Sequence, residues 1–220
     1  EKLIAMGFVK GRAVPTAFFR PMDQVRCVVH GDDFTFTGER GPLEGVAARM
    51  KEHYQLKVRG ILGDEERGEK EIVILNSRLR WTAEGLEYEA DRRHVKDILA
   101  YFGLTKESKG LDLPVVKDEE EKEAEEEEEL GSAEATAIRG VAARAKYLAS
   151  DRLDIQFAVK EVCRHMAKPR AAIMARLNPL ALYLLKHQRG VLHFRAQPES
   201  DDTRVEVYTD SDWAGCRRTR

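Results

Sequence analysis

Residues 117–129 read KDEEEKEAEEEEE, and no packed core can absorb them. Ten acids face two lysines there, a net −8 in a chain whose total is −2, which leaves +6 for the remainder. Like charges at that density repel one another and keep backbone and side chains in water. The run is therefore expected to be a solvated or loosely helical linker over 117–130, dividing the chain into two stretches. Binding of Ca²⁺ or of a basic partner, or repulsion of nucleic acid, remain open as roles for it; a plain spacer is the simpler reading.

Before the run the pattern mixes helix and strand. Residues 1–6 read as the tail of a helix ended at Gly7-Phe8, and Phe18-Phe19 begins extended structure. Val25–Val29 (VRCVV) and Phe34–Thr37 (FTFT) predict a hairpin turning at His30-Gly31-Asp32-Asp33. Gly38 and Gly41-Pro42 read as breaks, followed by a helix over Leu43–His53. Leu56–Val58 is a candidate short strand. Ile72–Trp81 and Leu86–Tyr88 predict a second hairpin turning at Thr82–Gly85. Asp91 reads as the N-cap of a helix running from Arg92 to about Phe102 and closed by Gly103.

After the run the pattern is helical. Glu134–Ala149 is alanine-rich, Arg152–Ala167 stops at Pro169, and Ala171–His187 carries Pro179 as an expected kink or break. Val191–Ala196 and Val205–Thr209 then read as paired strands. No internal repeat is apparent.

Composition limits the class. The chain has 220 residues, 42% hydrophobic, enough for a core, and 35% charged. Cys27, Cys163 and Cys216 are far apart, without metal-binding spacing, and read as reduced thiols. The six histidines are scattered and read as surface or capping residues. No apolar run has the roughly 18–20 residues of a membrane span, and no signal peptide is visible. The expected location is intracellular, in cytoplasm or nucleus. Glu1 at the start and Cys-Arg-Arg-Thr-Arg at the end read as cuts through a longer polypeptide.

Asp32 and Asp33 are the strongest candidates for chemistry. Two carboxylates side by side at a hairpin tip repel each other unless a cation sits with them. Mg²⁺ suits such hard oxygen ligands, commonly taking one or two carboxylates plus substrate phosphates. A pair of such ions clamps the attacking and leaving oxygens of a phosphoryl displacement. Gly-Asp-Asp is equally an ordinary turn sequence.

The order of several motifs resembles the copia-type reverse transcriptase of LTR retrotransposons. The similar stretches are VRCVVHGDDFTFTG, the helix at 43–53, the hairpin at 72–88, and Lys146-Tyr147-Leu148. Asp151-Arg152-Leu153-Asp154-Ile155-Gln156-Phe157-Ala158-Val159 follows, with Leu153 standing where the family usually has proline. Met166–Pro169, Tyr183-Leu184-Leu185-Lys186 and Tyr208-Thr209-Asp210-Ser211-Asp212-Trp213-Ala214-Gly215 complete the series. The acidic run has no counterpart.

The resemblance implies an α+β fold: a partial polymerase palm with its following hairpin and helix (1–116), the acidic linker (117–130), a helical thumb or connection (131–190) and the start of an RNase H-like domain (191–220). It implies RNA-directed DNA synthesis by Mg²⁺-dependent nucleotidyl transfer, with RNA or DNA template-primer and deoxynucleotides as partners. Asp32 and Asp33 take the place of catalytic metal ligands and Asp210 that of the first RNase H carboxylate, Asp212 being a weaker match. His30 stands where the family often has Tyr or Val. Further ligands of both sites would lie outside this chain, so it is expected to be inactive alone.

Among the basic residues of the helical region, Lys146, Arg152, Lys160 and Arg164 are candidates for phosphate contact, though ordinary solvated helix faces explain them as well. Trp81 and Tyr88 flank the second hairpin, where an aromatic can stack on a base or simply pack across strands. Trp213 reads as core. A rival reading is a non-catalytic, host-encoded retroelement remnant that binds nucleic acid or a protein; a third is an unrelated αβ protein with an acidic linker.

Overall fold

Alternation along VRCVV decides how the first sheet is built. In the computed structural model, which describes residues 1–63, 68–115, 129–196 and 206–209, Val25 and Cys27 are buried while Arg26 and Val28 face outward. The chain is α+β, with two four-stranded antiparallel sheets and helices, and divides into two compact units, Glu1–Arg59 and Gly60–Arg220.

In the first unit a short helix α1 (Lys2–Ala5) ends at Gly7, whose φ is +88°. Strands β1 (Val9–Lys10), β2 (Ala17–Arg20), β3 (Val25–His30) and β4 (Asp33–Thr37) follow in sheet order β1-β2-β3-β4. Cys27 pairs with Phe36 and Val29 with Phe34, which puts these four side chains on one face. Helix α2 (Arg40–Lys51) supplies Val46 and Met50 to a core shared with Leu3, Met6, Phe8, Val25 and Cys27.

Two expectations change here. Helix α2 begins at Arg40, so Gly41-Pro42 lies within its first turn rather than breaking the chain. The first helical N–H groups have no intrahelical acceptor, so the missing proline N–H is not felt there. Residues 56–58 form no strand.

In the second unit the stretch expected as one strand, Ile72–Trp81, is two. Strands β5 (Glu71–Ile74) and β6 (Ser77–Thr82) are joined at Leu75-Asn76, both with positive φ (49° and 67°). This is the left-handed two-residue turn that matches strand twist; the leucine hides it in sequence, because Asn-Gly or Asp-Gly is the usual signal. Strand β7 (Gly85–Glu89) follows, then helix α3 (Arg92–Tyr101). Asp91 caps α3 as expected, its side chain accepting from the Arg93 N–H at 2.9 Å, and Gly103 takes positive φ after the helix.

Helix α4 (Ser132–Ala149) is as expected within two residues. The expected helix from Arg152 is shorter: a 3₁₀ turn at Leu153–Ile155 leads into α5 (Gln156–Cys163). Arg152 itself has non-helical φ −119°, ψ 85°, which turns its side chain into the fold. Helix α6 (Ile173–Lys186) runs through Pro179 without a break, with Pro179 buried. Ile138, Ala142, Leu148, Val159, Val162, Ile173, Leu177 and Leu184 join Val95 and Ile98 in one core.

Strand β8 (Val191–Arg195) pairs with β7, in the register Glu89↔Val191 to Gly85↔Arg195, rather than with the described residues 206–209. Residues 206–209 are not in a strand, and Val205 lies outside the described residues. A strand pairs with whatever edge its register and packing fit, and β7 offered the free edge of the second sheet.

Glu89 fastens this sheet to the helices. Its carboxylate, 3% exposed, accepts from Arg92 at 2.5 Å and from Arg189 at 3.0 and 3.2 Å. Burial by itself would raise its pKa; the hydrogen bonds from the two guanidinium groups outweigh that and lower it to about 2. Because the folded-state value is depressed, the associated stability is fully present above the ordinary value of 4.5 and fades as pH falls from there toward about 2. Since both arginines are about half exposed, solvent screening limits the effect to on the order of 2 kcal/mol. Urea unfolding of the wild type is expected to show this loss between pH 5 and pH 2, and Glu89→Gln to be destabilised at pH 7 with a flatter acid limb.

Candidate functional site: the Asp32-Asp33 hairpin tip and a basic groove

The hairpin tip is tighter than the sequence suggests. His30 pairs with Asp33, so the turn is the two residues Gly31-Asp32, and Asp33 is the first residue of β4. Gly31 has φ +58° while Asp32 does not, the pattern of a turn that needs glycine at its first central position. Asp32 is exposed at the turn and Asp33 is half-buried. Asp33 follows the alternation of β4 away from Phe34 and Phe36, on the face that carries His30.

Asp33 has a partner that the sequence did not point to. Its Oδ1 lies 3.0 Å from Nη2 of Arg59. Arg59 is 26 positions further along in a stretch with no helix or strand, so neither periodicity nor motif spacing could have linked the two. The guanidinium answers part of the charge problem that two neighbouring carboxylates create. Behind the strand, burial pushes the Cys27 thiol up to about 12, which leaves it protonated and unsuited to ligate a metal or act as a nucleophile.

Among the described residues no group of three or more His, Cys, Asp or Glu side chains could hold a metal ion. Asp32 and Asp33 supply two carboxylates, one of them already facing a cation. Asp210 and Asp212 lie outside the described residues, as does Trp213.

The second unit brings three of the four basic candidates together. Lys146 from α4 and Lys160 and Arg164 from α5 line one open groove of about 570 Å³, with Ser150, Gln156 and Cys163 between them. Lys160 lies over the ring of Phe157 at 5.3 Å, and that ring is 61% exposed. Glu161 tempers the charge: its carboxylate takes Arg164 at 2.9 Å and lies 3.5 Å from Lys160. Among the described residues that line the groove, none is an acid beside Lys146.

Arg152 does not join them, which corrects the expectation for it. Its side chain is 2% exposed and holds Asp154 through two hydrogen bonds of 2.8 and 2.6 Å. A guanidinium buried in that way cannot reach a phosphate backbone. Trp81 is 38% exposed on β6 opposite Leu86, and Tyr88, opposite Leu79, donates to Ser77 Oγ at 2.9 Å. Of the acidic run only Glu129 is described; its backbone forms an isolated antiparallel β-bridge with Arg170, and its carboxylate lies 3.6 Å from Lys168. Among the described residues no helix is long and apolar enough to cross a membrane.

Comparison with known proteins adds a distant relative. The chain is 32% identical over 82 residues to an uncharacterized mitochondrial protein of Arabidopsis thaliana, AtMg00810. That stretch covers 37% of this chain and 33% of the plant protein, so the chain spans about a third of the relative it matches. No family model matches, and no solved structure matches.

The tip geometry gives a test. A Cβ at residue 31 meets no atom within 4 Å, so Gly31→Ala is strained by its backbone alone. The expected loss is about 1–2 kcal/mol in chemical denaturation, the usual penalty for a left-handed non-glycine residue. Asp32→Asn, exposed in the turn, is expected within about 0.5 kcal/mol of wild type.

Proposed function

We propose that this chain is a segment of a copia-type retroelement polymerase lineage, and that by itself it binds nucleic acid without polymerising it. The observation that carries the reading is the hairpin β3–β4. It closes an antiparallel sheet backed by α2 and presents Asp32 and Asp33 at its tip, in the order of motifs that the family shares. The 82-residue similarity to the mitochondrial protein is compatible with such an origin.

The Asp33–Arg59 pair favours the non-catalytic branch of this reading. Two acids and a guanidinium do not hold Mg²⁺ in the way that nucleotidyl transfer requires, since a site one ligand short has the wrong charge and geometry. Mg²⁺ and deoxynucleotides therefore belong to a complete enzyme of this lineage. Nucleic acid is the partner kept for this chain, through the groove of Lys146, Lys160 and Arg164 beside the exposed Phe157.

Two measurements test it. Primer extension on an RNA template with Mg²⁺ or Mn²⁺ is expected to give no product; extension that disappears in Asp32→Ala would overturn the non-catalytic reading. Fluorescence anisotropy with an RNA–DNA duplex is expected to show binding that weakens steeply with salt. Removing Lys146 and Lys160 together should reduce the slope of log affinity against log salt by about two, roughly one for each phosphate no longer neutralised. Affinity that stays flat from low to high salt, or a double variant indistinguishable from wild type, would sink the groove assignment.

A further inference from the structure

The groove between α4 and α5 has an apolar floor and a charged rim. Ala149 and Val159 are buried and line it, with half-buried Cys163 beside them. Lys146 and Lys160 line it from exposed positions. Arg164 is taken up by Glu161 at 2.9 Å, so the charge offered to a phosphate is mainly that of the two lysines. Phosphate oxygens are served by such a rim and gain nothing from the floor. An apolar floor suits the flat face of a base.

Phe157 adds a second apolar surface next to a cation. Its ring is 61% exposed, and Lys160 Nζ stands 5.3 Å from its centroid. Leu153, four residues earlier, is 60% exposed. A single exposed apolar side chain is ordinary on a protein surface. Two of them at helical spacing, beside cations that line a groove, form a surface that joins stacking to charge.

Pairing decides which polymer can use that surface. In a duplex the base faces lie against one another, and only base edges and phosphates are presented. A phenyl ring and an apolar floor make no hydrogen bonds to edges. In an unpaired strand each base shows its face, and its own phosphate lies close by, so one nucleotide can meet ring and lysine together. Two lysines neutralise only about two phosphates, so stacking has to supply a large share of the affinity.

We propose, resting on the nucleic-acid reading above, that the groove is a site for single-stranded nucleic acid: unpaired bases pack on the Phe157 ring and on the floor of Ala149 and Val159, while Lys146 and Lys160 hold the adjoining phosphates.

The test is fluorescence anisotropy of the full chain with labelled oligothymidylate of about 12 nucleotides, and with the RNA–DNA duplex that it forms with oligoriboadenylate. At equal salt the single strand is expected to bind about tenfold or more tightly than the duplex. Phe157→Ala, at an exposed position, should weaken single-strand binding by about fivefold or more and leave duplex binding within about twofold of wild type. Both salt slopes should stay unchanged, because stacking releases no counterions. Phe157→Trp should keep the affinity, and the strand should quench the indole emission that this variant adds. A duplex bound as tightly as the single strand, or single-strand binding that Phe157→Ala leaves intact, overturns the single-strand assignment while salt-dependent binding by Lys146 and Lys160 stands. No binding of either polymer at low salt overturns the nucleic-acid reading itself and this assignment with it. Polyglutamate that displaces the strand as well as unlabelled oligothymidylate does would give the groove to an acidic polypeptide instead, and the proposal would fall.

Discussion

Glu89 ends strand β7, and its carboxylate lies where three parts of the second unit meet: the sheet, the start of α3 through Arg92, and the passage from α6 into β8 through Arg189. The backbone repeats the connection, with the Ala90 N–H donating to the Gly190 carbonyl and Val191 registered against Glu89. A lone buried carboxylate would be strongly disfavoured; two guanidinium partners make this one stable and directional. The arrangement also explains why β8 adds to a sheet whose other strands come a hundred residues earlier. Arg189 brings the chain to β7 in the right place, and the strand register follows.

The first unit meets the same problem of placing negative charge by a different route. Asp32 is left in water at a turn, and Asp33 is given a cation from within the chain. A divalent ion and an arginine are alternative answers to adjacent carboxylates. They differ in what they permit, because a guanidinium neutralises charge but cannot polarise a phosphate and a nucleophile together. The tip is thus a two-residue turn whose local electrostatics are those of the Asp33–Arg59 ion pair.

Much of the fold was legible wherever periodicity and punctuation agreed. Asp91 before α3, Gly103 after it, the alternation of VRCVV and FTFT, and the alanine-rich α4 all declared themselves. Misreadings arose where one residue type has two meanings. Pro42 reads as a break but sits in a first turn, and Pro179 reads as a break but is carried by a helix packed on most sides. Leu75 conceals a turn because leucine rarely adopts positive φ. At the candidate sites, the carboxylates were found by their adjacency and three basic residues by their helical positions. Arg59, the burial of Arg152 and the β7–β8 pairing depend on long-range packing, which leaves no local trace.

The contact between Gly190 and Arg152 ties two positions 38 residues apart into a single unit of inheritance. Any side chain at 190 would run into the arginine stem, and any shortening of 152 would strand Asp154 and Tyr183. Neither position can drift alone. Among divergent copies of this chain, glycine at 190 and arginine at 152 should be kept together or lost together, and a copy that has lost only one should carry a repacked junction between α6 and β8.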